Sequence, residues 1–205
     1  MSIHWAEENL DVIRTLMERS TLYRRALAPL MIAAGLAGIG ASTLTCFVKI
    51  EGATAFTSFW LVVAAVAQGI CLVLVRRQAL KSEEAFWSAP TRRVAQAVFP
   101  GFFVGAAASV IVVREVSPEI WKLPLIWAAA YGCAIHAAGF FMPRGMKLFG
   151  WLMIFLSLGL FVGIGEVVES PTSETAHYLM GSLFGVLHLV YGIYLRFTED
   201  GKQAA

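Results

Sequence analysis

Six apolar blocks, each of roughly 20 residues, fall at about 26–48, 54–75, 94–113, 122–142, 147–168 and 176–196. A helix rises 1.5 Å per residue, so each block is the length needed to cross a hydrocarbon layer of about 30 Å. Charged, Pro- or Gly-bearing segments separate the blocks. A soluble domain of 205 residues could not bury the apolar side chains of a chain that is 58% hydrophobic and 15% charged. The pattern predicts an all-α, polytopic membrane bundle of six transmembrane helices spanning 26–196. An amphipathic segment over 1–25 precedes it, and a polar tail over 197–205 follows it.

The distribution of charge sets an expected orientation. With the N-terminus in the cytoplasm, the inner segments carry thirteen of the sixteen basic residues, among them Arg14, Arg19, Arg24, Arg25, Arg76, Arg77, Arg92, Arg93, Arg144 and Arg196. The outer segments keep only Lys49, Arg114 and Lys122, and they add Glu51, Glu115, Glu119, Glu169 and Glu174. Basic residues favour the cytoplasmic side, so both termini are expected there. The net charge of +2 gives no basis for nucleic-acid binding. Cys46, Cys71 and Cys133 all lie inside apolar blocks without CxxC spacing, which reads as packing rather than a disulfide framework or zinc knuckle.

Residues 5–25, WAEENLDVIRTLMERSTLYRR, place Leu10, Ile13, Leu16 and Met17 near helical spacing beside several arginines. Such a helix suits the membrane surface, with Trp5 as an anchor, or a protein partner. The longest connection, 76–93, is a second partner surface, with a short interfacial helix expected around Phe86 and Trp87 and an end at Pro90. Within this region VIRTLMERSTLYRRAL resembles the amphipathic leader of a loose group of small bacterial multi-helix membrane proteins without assigned activity. The resemblance spans mostly residues 10–30. It implies a bacterial inner-membrane protein and brings no active residue with it.

Three tandem hairpins are expected from the openings YRRALAP, TRRVAQAVFP and PRGMKLFG. Gln68, His136 and His188 each precede by eight residues an arginine taken to end their helix, namely Arg76, Arg144 and Arg196. That register predicts one shared depth, roughly 12 Å outward from the arginines. An imidazole in lipid is costly unless it faces protein or water. Small residues around both histidines place them on helix-packing faces, among them Gly132, Gly139, Gly181, Gly185 and Gly192. Gly38, Ser42, Gly101, Gly105, Gly159 and Gly163 extend the pattern to other helices, and a tight bundle that associates as a homo-oligomer is expected.

Several readings of Gln68, His136 and His188 stand open. They form interhelical hydrogen bonds without further function, or line a small-solute or ligand site, or the two histidines ligate haem b or another metal. A second polar group, Arg114, Glu166 and His177, is expected at the outer face as an ion pair or a substrate site. Trp60, Trp121, Trp127 and Trp151 read as aromatic belts. No Walker loop, GxGxxG, HExxH or GxSxG sequence occurs, and no catalytic residue stands out, so the expectation is a non-enzymatic protein. Three classes follow: a small-solute transporter or ligand sensor, a haem- or metal-binding redox protein, and a structural or regulatory partner protein.

Overall fold

Backbone groups inside a bilayer have no water to bond, so long apolar segments close their hydrogen bonds within themselves and become helices. The computed structural model describes residues 27–81, 86–87, 89–116, 118–142, 144–168 and 171–203. The amphipathic leader expected over 5–25 lies outside the described residues, as does Glu169. The described helices are α1 (Leu27–Thr45), α2 (Ala53–Lys81), α3 (Ala89–Arg114), α4 (Lys122–Ala138), α5 (Arg144–Val167) and α6, which runs from Ser173 to Gln203. Five of these six are long and apolar enough to cross a membrane, and α4, at 17 residues, is the exception. The all-α bundle and the membrane-spanning character agree with the sequence.

Element ends show where hydropathy and helix part company. α2 continues six residues beyond its apolar block because Arg76-Arg77-Gln78-Ala79-Leu80-Lys81 contains only good helix formers. The expected interfacial helix at Phe86 and Trp87 is a turn instead, and Pro90 lies in the first turn of α3, where a missing N–H costs nothing. Gly52 adopts φ +84° in the connection before α2, a conformation that a side chain would strain. α6 opens on a capping box in which the Thr172 hydroxyl accepts from the Thr175 N–H and the Thr175 hydroxyl accepts from the Thr172 N–H.

α4 ends earlier than the apolar block that contains it. A Cβ added to Gly139 would stand 2.9 Å from the Lys147 backbone nitrogen, because α5 turns back directly over this residue. The chain therefore leaves the helix at Gly139, and Arg144 opens α5 rather than ending α4.

Three glycine seams join the bundle. On α4 and α5, a Cβ on Gly132 would lie 2.7 Å from the Gly150 carbonyl oxygen, and the reciprocal distance is also 2.7 Å. On α3, Gly101 faces the Ala130 carbonyl and Ala134 of α4. The first and last helices close the bundle through Gly35 against Leu189, Gly38 against Gly185, and Gly192 against Ile32. The tightest seams thus include one between the expected second and third hairpins and one between the chain's two ends. α4 is the hub, with nine of its 17 residues buried. Gly159 and Gly163 of α5, read in the sequence as packing residues, have open space where a Cβ would stand. Trp60 and Trp121 belong to the buried core rather than to an aromatic belt. Cys46 and Cys133 are exposed and Cys71 is half-buried, so close packing describes only the last.

Candidate functional site

His188 is the most deeply placed histidine, 3% exposed. Its ring meets α4 and α5 through Tyr131, with centroids 5.3 Å apart, and Phe149, at 5.0 Å. Nδ1 lies 3.2 Å from the Leu183 carbonyl oxygen, and Nε2 lies 2.9 Å from the Tyr131 hydroxyl. A carbonyl can only accept, so Nδ1 carries the proton and donates. In the neutral ring Nε2 then accepts from the Tyr131 O–H, which fixes one tautomer and links α6 to α4.

The backbone just before this histidine is unusual. Residues Gly181–Val186 form a π-helical stretch inside α6, and the Leu187 N–H bonds to the Ser182 carbonyl five residues back. Such insertions are rare and concentrate at functional positions. The stretch lies between the two histidines of α6, and His188 anchors its side chain to a carbonyl within it.

His177, one turn into α6, forms a second junction. It is 4% exposed, its Nδ1 accepts from the Trp60 indole N–H at 2.9 Å, and its Nε2 faces the Ile50 carbonyl at 3.0 Å. Since indole only donates and a carbonyl only accepts, this ring holds the opposite tautomer, with the proton on Nε2. The Ser42 hydroxyl also donates to the His177 carbonyl at 3.1 Å. One residue therefore ties together α1, the α1–α2 connection, α2 and α6. Phe56 packs on the ring at 4.9 Å.

The expected groups divide differently from their sequence register. Gln68 is on the exposed side of α2. His136 is half-buried in the last turn of α4, where Nδ1 is 3.4 Å from the Lys147 carbonyl and the ring meets Trp151 at 5.1 Å. Tyr131, which pairs with His188, lies five residues earlier on α4, so His136 is about 7.5 Å nearer the helix end. The shared depth fails because Arg144, the assumed end marker, belongs to the next helix. The structure does not bring Gln68, His136 and His188 together.

At the other end, Arg114 and Glu166 are exposed, and His177 is engaged with Trp60 and Ile50 rather than with either of them. Among the described residues the ion pair there is Lys122–Glu119. The Lys122 ammonium holds the Glu119 carboxyl below the usual carboxylate range.

A haem held by two imidazoles needs a free nitrogen on each ring, facing one macrocycle from opposite sides. Both His188 nitrogens are engaged, and Tyr131 and Phe149 occupy the space beside the ring. His136 and His188 do not fit that group. Among the described residues no three His, Cys, Asp or Glu side chains converge as a metal set.

Sequence reasoning missed Tyr131 and Trp60, the two partners that define the histidine sites. Tyr131 carried a signal, as the polar aromatic in AAAYGCAIH. Trp60 carried none that distinguished it from a belt residue. No protein-family model, curated protein or solved structure matches this chain.

Proposed function

We propose that the protein crosses a bacterial inner membrane six times, with both termini cytoplasmic, and acts there as a ligand-responsive sensor whose moving part is α6. The orientation draws on the thirteen-to-three distribution of basic residues. A sixth crossing by α4 draws on its apolar sequence and its place at the centre of the bundle. Its 17 residues cover about 25 Å, and the flanking turns supply the remaining distance.

One observation carries the sensor reading: a buried His188, with both ring nitrogens bonded and one of them to Tyr131, adjoins a π-helical stretch. Helix segments of this kind have a second packing within reach, because shifting one hydrogen-bond register returns them to α-geometry. A small solute bearing an O–H or N–H donor would compete with Tyr131 for Nε2 of His188 and let α6 change register. Binding shifts such an equilibrium only through different affinities for the two states, and this exchange of donors supplies one. A continuous transport path gains less support, since His188 is enclosed by Phe149, Phe184 and Tyr131.

A homo-oligomer would use the open glycine pair of α5. Gly35, Gly38, Gly132 and Gly150 are used within the chain, whereas Gly159 and Gly163 lie open on α5 at the spacing that lets helices approach closely.

A thermal-shift screen of small polar metabolites against the purified protein tests the sensor reading. At least one solute should raise the wild-type Tm by several degrees and leave Tyr131→Phe and His188→Leu unmoved. Equal shifts in all three proteins, or no active solute, would sink it.

A further inference from the structure

The geometry points to a binding site for an anionic phospholipid between the basic halves of α2 and α3, independent of the sensor reading. The first support is how much of α2 faces outward. Of its apolar stretch 6% is buried, against 39% in α6. Its buried residues Ala53, Phe56, Thr57 and Trp60 all lie at one end, and from Leu61 to Lys81 only Ala79 is buried. α2 is buried most fully at the Trp60–His177 end; beyond it, one half-buried stripe, with Cys71 near the Leu30 carbonyl of α1, rests on the bundle, and the other faces look outward.

The second support is what the two helices present there. Arg76, Arg77 and Lys81 are exposed on α2, and Arg92 and Arg93 are exposed at the start of α3. None of the five has an ion-pair partner among the described residues. Glu83 and Glu84 intervene in sequence, and the tip remains basic even with both counted. Toward the membrane centre from each arginine pair the same exposed surface turns apolar: Leu72 and Val73 on α2, Phe99 and Phe103 on α3. Exposed Trp87 lies in the intervening turn.

This order, cations first and then apolar side chains along the helix, matches one molecule with a phosphate head and acyl chains. Basic side chains at the membrane surface are drawn to anionic headgroups. An acidic soluble peptide would leave the apolar strips without use. A second copy of the chain seated on this face would set its own arginines against these. Guanidinium groups also bind phosphate through paired N–H donors, a geometry that a zwitterionic head partly neutralises with its own ammonium.

The test uses the full-length protein in nanodiscs of equal parts phosphatidylglycerol and phosphatidylcholine, released into the gas phase so that native mass spectrometry counts the lipids retained. Wild type should keep phosphatidylglycerol several-fold over phosphatidylcholine, and raising the salt before release should reduce that preference. The quadruple variant R76Q/R77Q/R92Q/R93Q should lose it, while Arg196→Gln should keep it. Where the quadruple variant does not fold, R92Q/R93Q alone should lower the preference and R92K/R93K should restore most of it. Equal retention of the two lipids by wild type overturns the site, as does unchanged preference in the glutamine variants. So does displacement of phosphatidylglycerol by millimolar inorganic phosphate, which would mark a free-phosphate site. A dimer that retains no phosphatidylglycerol overturns it in favour of a second copy.

Discussion

At Gly132 and Gly150, each backbone occupies the space where the other's Cβ would stand, so neither residue can gain an atom unless α4 and α5 separate. Gly132→Ala or Gly150→Ala should cost about 1–3 kcal/mol by overpacking and lower the Tm by several degrees. Gly69→Ala, with open space around it, should be neutral or stabilising through the helix preference for Ala of up to about 1 kcal/mol. Equal effects in the two groups would show that the seam is looser than described. Trp60→Phe keeps an aromatic ring but leaves the His177 Nδ1 without its donor, so a loss of about 1–3 kcal/mol is expected in a thermal melt. Tyr131→Phe leaves the His188 Nε2 without its donor in the same way, and its Tm should fall comparably. Glu119 sits in solvent beside Lys122. Its carboxyl is held low, so any stabilisation exists above the ordinary carboxylate pKa and is lost as pH falls through the lowered value. Because the pair is exposed, Glu119→Gln should leave the Tm unchanged at neutral pH. A carboxyl titration followed by carbon NMR should place the Glu119 midpoint below the ordinary carboxylate value.

Among the elements, α6 carries most of the molecule's specificity, and its phase depends on the π-helical stretch. Deleting Ser182 would return that stretch toward α-geometry and rotate everything beyond it by about 100° relative to α1. Gly192 would then leave Ile32, and His188 would leave Tyr131. The deletion should therefore lower the Tm well beyond the Tyr131→Phe change, and amide exchange should quicken along Leu187–Gln203. A deletion variant as stable as wild type would mean that the insertion has no structural partner. α2 behaves differently, since all its fully buried residues but Ala79 gather at one end. Amide exchange should be slower near Trp60 than near Arg76, although helical hydrogen bonding is continuous between them.

For the whole molecule, closure comes from α1 meeting α6 through Gly35, Gly38, Gly185 and Gly192, while α4 fills the centre. The outward surface is apolar over α2, α3 and α5, as expected where lipid rather than water is the solvent. Much of this was legible beforehand. The apolar blocks fall on the described helices, and the small residues of α1, α3, α4 and α6 marked real seams. Their partners were not legible, because a glycine shows that something approaches and not which helix does so.

The sequence by itself determined that the chain forms membrane-length helices, since backbone hydrogen bonding in lipid permits few alternatives and hydropathy marks the segments. It also singled out His136, His177 and His188 as groups requiring partners. Only the tertiary structure decided who those partners are: Tyr131 and Leu183 for His188, Trp60 and Ile50 for His177, and the Lys147 carbonyl for His136. Side-chain direction depends on helix ends and phase. An early stop at Gly139 and a π-helical stretch at Gly181–Val186 changed both, through contacts between segments distant along the chain.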